Sequence, residues 1–184
     1  FHRRDFHLVR DPQEVLNPPN SLVRVTGPSG SGKSTYLKSI ILSPNRNIPG
    51  QIGYCPQANV FLDGTVAENV EMGRNIPAGE IDKVLDALGI TSELQARGGS
   101  QAHIDGNGTD ISGGQARRIS LARAIVGTPL VIALDEPLSG LDNDNANRAR
   151  ALLSGLALKY PFIEVSHQGN VINLPAQTIE VGET

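Results

Sequence analysis

Only one cysteine, Cys55, stands among the 184 residues. A single thiol excludes an internal disulfide and fits a reducing compartment, and the plainest reading of Cys55 is a small buried apolar residue. An excess of basic residues is also missing. The formal net charge is −3, which gives no footprint of a surface built for nucleic acid, so no nucleic-acid partner is expected. No apolar run approaches the roughly 18 residues that cross a bilayer, and no signal peptide is recognisable. The chain opens at Phe1 rather than at methionine, so it reads as an excised or processed piece whose natural context, including any membrane-spanning part, lies elsewhere. Internal repeats, low-complexity tracts and heptad runs are absent too. What remains is ordinary globular composition at a length that suits one domain with a sizeable core and a small attached lobe.

Short apolar runs rich in β-branched residues alternate with helical patterns. "SLVRVT" (21–26) predicts a strand feeding a glycine loop, and "STYLKSIIL" (34–42) predicts a helix with Leu37, Ile40 and Ile41 on one face, stopped by Pro44. "IGYC" (52–55) is a brief strand, and "PLVIAL" (129–134) is the unbroken apolar run of a strand covered on both faces. A helix follows in "DNDNANRARALLSGLAL", with Ala146, Ala149, Leu152, Leu153 and Leu156 on one stripe, and "PFIEVS" (161–166) and "QTIEV" (177–181) close the series as strands. Alternation of this kind argues for an α/β fold with a mostly parallel sheet. Residues 65–126 read differently. "TVAENV", "AGEIDKVLDALG" and "SELQAR" are helical candidates separated by Gly and Pro breaks, so this stretch is expected to form a helical subdomain inserted between core halves 1–64 and 127–184.

Gly27, Gly32, Lys33 and Ser34 in "GPSGSGKST" match G-x-x-x-x-G-K-[ST], between a predicted strand and a predicted helix. The chemistry explains the residue types. Glycines let backbone N–H groups turn inward on phosphate oxygens, the helix N-terminus adds positive potential, Lys33 supplies a point charge, and the Ser34 hydroxyl suits Mg²⁺. The nucleotide-binding candidates are therefore Gly27, Pro28, Ser29, Gly30, Ser31, Gly32, Lys33, Ser34 and Thr35. A hydrogen bond to a charged group is worth roughly 1.5–3 kcal/mol net, so several together hold a triphosphate firmly.

"LVIALDEP" sets Asp135 and Glu136 at the end of a buried strand. Strand C-termini of an α/β sheet line the ligand crevice. Asp135 is thus expected near Mg²⁺, directly or through water, and Glu136 is expected to orient and polarise an attacking water. A second turn suited to phosphate lies in "DISGGQARRIS" (110–120), where Ser112 is a good N-cap and Gly113 and Gly114 expose N–H groups at a helix start. Along that helix Ile119, Ala122, Ile125 and Val126 are expected to pack while Arg117 and Arg118 turn away. Taken alone, Ser112-Gly-Gly is as well read as an ordinary helix start.

The order "GPSGSGKST", "YCPQ", "ISGGQ", "LVIALDEP", "SGLD", "VSHQ" resembles that of ATP-binding cassette (ABC) ATPases over nearly the whole chain, and "ISGGQARRISLARAI" is its most specific element. The sequence is similar to the nucleotide-binding domain of a transporter. Within those it is most similar to exporters, through "CPQANVFLDGTVAENV" and "HIDGNGTDISGGQ". The resemblance implies a P-loop NTPase core, ATP and Mg²⁺ as ligands, ATP hydrolysis coupled to transport, and attachment at the cytoplasmic face of a membrane through a transmembrane domain absent from this chain. It further implies a head-to-tail dimer with a second such domain, in which Ser112, Gly113, Gly114 and Gln115 of one subunit close over ATP on the glycine loop of the other. Gln57 then resembles the loop glutamine that contacts Mg²⁺ and senses the γ-phosphate. Asp142 in "SGLD" resembles the aspartate working across the dimer interface, and His167 resembles the switch histidine that, with Glu136, Lys33 and Gln57, serves catalysis. Singly, Gln57 and His167 read as ordinary surface or core residues.

The chain departs from the family pattern in being short. Only "SPNRNIPGQIGYCPQ" separates the first helix from Gln57, so the antiparallel β subdomain that cups adenine is expected to be reduced. The adenine-stacking position falls near Arg3, with Phe1 and Phe6 as aromatic candidates. Gly106 and Asn107 stand where an acidic–basic pair is usual. Two other readings stay open: a non-transport ABC ATPase, and an ATP-dependent dimerisation module with low turnover.

Overall fold

The β-branched runs and the helical stripes predicted above form where they are expected. The computed structural model describes residues 22–42, 52–166 and 171–182. The expected antiparallel β subdomain, the Phe1, Arg3 and Phe6 positions and His167 lie outside the described residues. The elements are β1 (Leu22–Thr26), α1 (Lys33–Ile41), β2 (Ile52–Cys55), β3 (Gly64–Thr65), α2 (Val66–Glu71), α3 (Ala78–Ala87), α4 (Ile90–Leu94), β4 (His103–Ile104), α5 (Gly113–Ile125), β5 (Val131–Asp135), α6 (Asn143–Ala157), β6 (Phe162–Val165) and β7 (Gln177–Glu180).

Five strands form one sheet in the order β2-β5-β6-β1-β7, and every pairing is parallel. Strand β5 is buried along its whole length, which is why its sequence shows no alternation. One face packs on α1: Val23, Val25, Val131, Ala133, Ile163 and Val165 join Tyr36, Leu37 and Ile40. The other face joins Leu22, Ile132, Leu134 and Phe162 to the side chains of α2, α3, α5 and α6 in one continuous apolar cluster. The result is a three-layer α/β/α arrangement. A two-residue antiparallel ladder, β3 with β4, was not expected from the sequence; two-residue strands leave no periodicity to read.

Helix α5 lies directly on β2. A Cβ on Gly53 would stand 1.7 Å from Ala124 O, so only glycine permits the approach. Another helix start is built locally: Thr65 and Glu68 form a reciprocal capping box at α2.

A buried ion pair crosses β1 and β6. Arg24 and Glu164 are register partners, Arg24 Nε donates to Glu164 Oε1 at 2.5 Å, and Glu164 is fully buried. Ile172 N donates to Glu164 Oε2 at 3.1 Å, and Arg24 Nη2 donates to Ile172 O at 3.0 Å. Burial pushes the Glu164 carboxyl above its ordinary value, while Arg24 and the Ile172 amide oppose that shift. A carboxyl with a raised folded value contributes its full stability below its unfolded value and loses it as pH rises through the folded one. Arg24→Met removes the main opposing group. The Glu164 carboxyl then rises further, so the variant is expected to lose up to about 3–5 kcal/mol at pH 8 and distinctly less near pH 5. Urea unfolding of variant and parent at the two pH values measures this; equal losses would contradict the account.

Candidate functional site

Because the whole sheet is parallel, its strands end at one edge. In register, Cys55 aligns with Leu134, Asp135 with Val165, Val25 with Val165, and Thr26 with Glu180. The residues that follow β1, β2 and β5, namely the Gly27 loop, Pro56-Gln57 and Glu136, therefore gather along that edge. At about 4.8 Å per strand, β1 and β5 are separated by about 10 Å across β6.

The loop from Gly27 to Gly32 joins β1 to α1. Gly27 has φ +145°, and a Cβ there would stand 2.0 Å from Val181 O, so neither the conformation nor the space admits another residue. Gly32 caps α1 in the left-handed region at φ 94°. Lys33 is 4 % exposed, and its Nζ donates to Gly27 O at 2.9 Å and Pro28 O at 2.6 Å. The ammonium is thus folded onto carbonyls of its own loop. Ser31 Oγ is buried with no hydrogen-bond partner among the described residues, a donor left over inside a loop otherwise shaped for an anion. Ser34 is half-buried and Thr35 exposed on the first turn of α1.

Asp135 ends β5 and is 1 % exposed, and neither carboxylate oxygen has a hydrogen-bond partner among the described residues. A buried carboxylate without partners is costly. A divalent cation would satisfy it, and the hard oxygen donors of Asp135, Ser34 and the Gln57 amide are of the kind Mg²⁺ takes, one or two at a time beside its waters. Glu136 is 9 % exposed and adopts φ +53°, a conformation that costs a non-glycine residue about 1–2 kcal/mol. Strain of this kind at a strand end marks a position held by its surroundings.

Sequence reasoning overlooked Tyr54. Its hydroxyl is buried without a hydrogen-bond partner among the described residues. Burial, followed by the nearby Asp135 carboxylate, pushes its phenol up to about 12, so it stays protonated beside the acidic group. Burial likewise pushes the Cys55 thiol up, and Cys55 is buried, as expected.

Ser112 is the N-cap of α5. Its Oγ accepts from Gln115 N at 3.1 Å, and Gln115 Oε1 accepts from Ser112 N at 3.0 Å. Ser112 and Gly113 are exposed, and the Cβ position of Gly113 meets nothing within 4 Å. The turn is therefore open to a partner. At Gly114 a Cβ would lie 3.8 Å from Gly140 O, which places the Ser112 turn beside the "SGLD" segment of the same chain. Asp142 itself is exposed and caps α6, accepting from Asn145 N at 2.9 Å and Asn145 Nδ2 at 2.7 Å. Those bonds, the backbone one first, hold its carboxyl below the ordinary range. Gln57 is exposed just beyond β2.

The expectation that Arg117 and Arg118 turn away from the packed face of α5 is wrong. Both are 2 % exposed. From Ala116 to Ala122 the helix is buried on every side, enclosed by the sheet and α2–α4, so no solvent face remains there. Backbone carbonyls take the guanidinium groups instead. Arg118 donates to Gly114 O, Leu88 O and Gly89 O, each at 3.2 Å, and pairs with Glu93 at 2.7 Å. Arg117 reaches the strand ends: Nη1 donates to Pro56 O at 2.6 Å, and Nη2 to Glu136 O at 2.7 Å and to Gln57 O and Asp135 O at 3.2 Å. The signal was present in the apolar residues Ile119, Leu121, Ala122, Ala124 and Ile125, which cover more than one helix face.

An all-parallel α/β sheet with a glycine loop at the β1–α1 turn and orphaned acidic oxygens at the end of β5 defines a P-loop nucleotide-binding fold. The family model described as ABC transporter matches residues 15–139, and the chain belongs to the ABC transporter family. The zinc import ATP-binding protein ZnuC of Chromohalobacter salexigens is 38 % identical over 146 residues, covering 74 % of this chain and 57 % of that protein. Human ATP-binding cassette sub-family B member 6 is 32 % identical over 177 residues, covering 84 % of this chain and 21 % of that protein. The chain thus spans little more than half of one curated relative and about a fifth of the other. The fold matches that of a bacterial Atm1-family ABC exporter with ATP bound, at TM-score 0.72 and 24 % identity over 81 % of this chain and 30 % of the exporter chain.

Proposed function

We propose that this chain binds and hydrolyses Mg²⁺-ATP as the motor domain of an ABC transporter. The core is formed by residues 1–64 and 127–184, and the helical subdomain by 65–126. The observation that carries the reading is the presence, on one sheet edge, of the glycine loop and of the buried Asp135 carboxylate, which has no partner among the described residues. Lys33 releases Gly27 O and Pro28 O and turns to the terminal phosphates, while the N–H groups of residues 29–35 close on the phosphate oxygens. Ser34, Gln57 and Asp135 would hold Mg²⁺, which would supply charge neutralisation of the phosphates. Glu136, held at its unusual backbone angle, orients and polarises the attacking water, and His167 contacts the γ-phosphate.

The exposed Ser112 turn, with Gly113, Gly114 and Gln115, completes the site on a second nucleotide-binding domain, and Asp142 beside it faces the same partner. ATP becomes the link between two subunits; loss of its γ-phosphate loosens them. Membrane attachment through a transmembrane domain on another segment or chain, at the cytoplasmic face, completes the transporter. No helix among the described residues is long and apolar enough to cross a membrane. Export is favoured over import by "CPQANVFLDGTVAENV" and "HIDGNGTDISGGQ"; the import relative named above matches over a shorter stretch of this chain.

Glu136→Gln is expected to slow phosphate release by roughly 10²–10⁴-fold while ATP binding stays within a few-fold of the parent. Equal turnover in variant and parent would remove Glu136 from catalysis. Ser112→Arg, made in the Glu136→Gln background, is expected to bind ATP as a monomer yet fail to pair. Sedimentation with Mg²⁺-ATP checks this; a normal dimer would end the cross-chain account.

A further inference from the structure

Helix α5 delivers one guanidinium to the junction of two segments that the chemistry needs in fixed relation. Arg117 Nη1 donates to Pro56 O at 2.6 Å and lies 3.5 Å from Cys55 Sγ and from Asn59 Oδ1. Its Nη2 bridges both sides at once, with Gln57 O at 3.2 Å on the β2 side and Asp135 O at 3.2 Å and Glu136 O at 2.7 Å on the β5 side. Every short bond among these runs to a backbone carbonyl. Those carbonyls lie at or just beyond the point where β2 and β5 stop pairing as strands, where the ladder supplies fewer donors. The planar fork of arginine satisfies several acceptors in a set geometry, which a lysine ammonium does not reproduce.

The side chain is 2 % exposed, and none of its hydrogen bonds given above runs to a carboxylate. A buried cation held by neutral dipoles is expensive as a stability device, so its position calls for another account. Glu136 provides one. Its φ of +53° persists only where the surroundings over-determine it, and the 2.7 Å bond to its carbonyl is a direct restraint on that residue.

We propose that Arg117 is a positioning residue that ties the Gln57 loop to the Asp135–Glu136 turn, so that the metal-facing glutamine and the water-orienting glutamate are held as one unit. The inference rests on the ATPase reading of this edge and adds a residue to it. Arg117 acts through Gln57 and Glu136, whose carbonyls it holds. The Ser112 turn begins the same helix, so this side chain links that helix to both segments.

The test uses the full chain with Arg117→Met, Arg117→Lys and, as a control for losing a carbonyl-bound guanidinium elsewhere, Arg74→Met. Arg74 donates to Val70 O, Glu71 O, Arg123 O and Val126 O, away from the strand ends. In Arg117→Met, kcat is expected to fall about 10–100-fold, the range for removing an orienting partner. KM for ATP should move less than about threefold, because the glycine loop is untouched. Arg117→Lys should recover part of the loss, and Arg74→Met should keep the parent kcat. Amide hydrogen exchange should rise together in residues 57–63 and 136–141 of Arg117→Met, with β1 and α1 unchanged. Exchange that rises in one segment only, or uniformly, or a kcat equal to the parent's, overturns the proposal. If Arg117→Met does not fold, Arg117→Lys carries the same comparison. Absence of Mg²⁺-dependent turnover in the parent overturns the ATPase reading instead, and the paired exchange result then decides the tie by itself.

Discussion

The contact between helix α5 and strand β2 at Gly53 organises much of this molecule. A Cβ at that position would stand 1.7 Å from Ala124 O, so the helix rests on the bare backbone of the strand. That approach places the N-terminus of α5, with its exposed Ser112 turn, beside the Ser139–Asp142 segment. It also brings Arg117 within hydrogen-bond reach of the carbonyls ending β2 and β5. A larger residue at Gly53 would lift the helix and displace all three features together, because close-packed interiors transmit such shifts rather than absorb them.

The edge of the sheet is left electrostatically unfinished. Among the described residues Asp135 has two buried oxygens without partners and Ser31 a buried hydroxyl without one, and Lys33 is turned onto its own loop. Each is unfavourable or provisional by itself. Together they form a set of opposite and complementary groups that a metal-bound polyphosphate would satisfy at one stroke. The Arg24–Glu164 pair, by contrast, is complete: Glu164 is also bonded by Ile172 N, and Arg24 by Ile172 O. The contrast between a closed buried pair and an open one separates structural from ligand-binding charge in this chain.

Most of the architecture was legible in the sequence. The runs at 21–26, 52–55, 129–134, 161–166 and 177–181 and the helices after the glycine loop and after "SGLD" lie within a residue or two of the observed elements, because each carries its own period and its own stop signal. The phosphate loop and the acidic strand end were legible for the same reason: their chemistry demands particular residues at fixed spacing. The β3–β4 ladder, too short for any period, was not.

What the sequence determined by itself was therefore local: which segments are strands, which turn exposes N–H groups, which carboxylates end a buried strand. Only the tertiary structure decided where Arg117 and Arg118 point. A charge on a helix is read as a solvent face, and that rule fails when the sheet and three further helices enclose α5 on all sides, leaving backbone carbonyls as the available partners. It also decided that Tyr54 stands beside Asp135, that Gly53 must be glycine, and that Gln57 and Glu136 share a single guanidinium. These relations join residues far apart in the chain. They depend on strand order and on the seating of one helix, which no window of sequence contains.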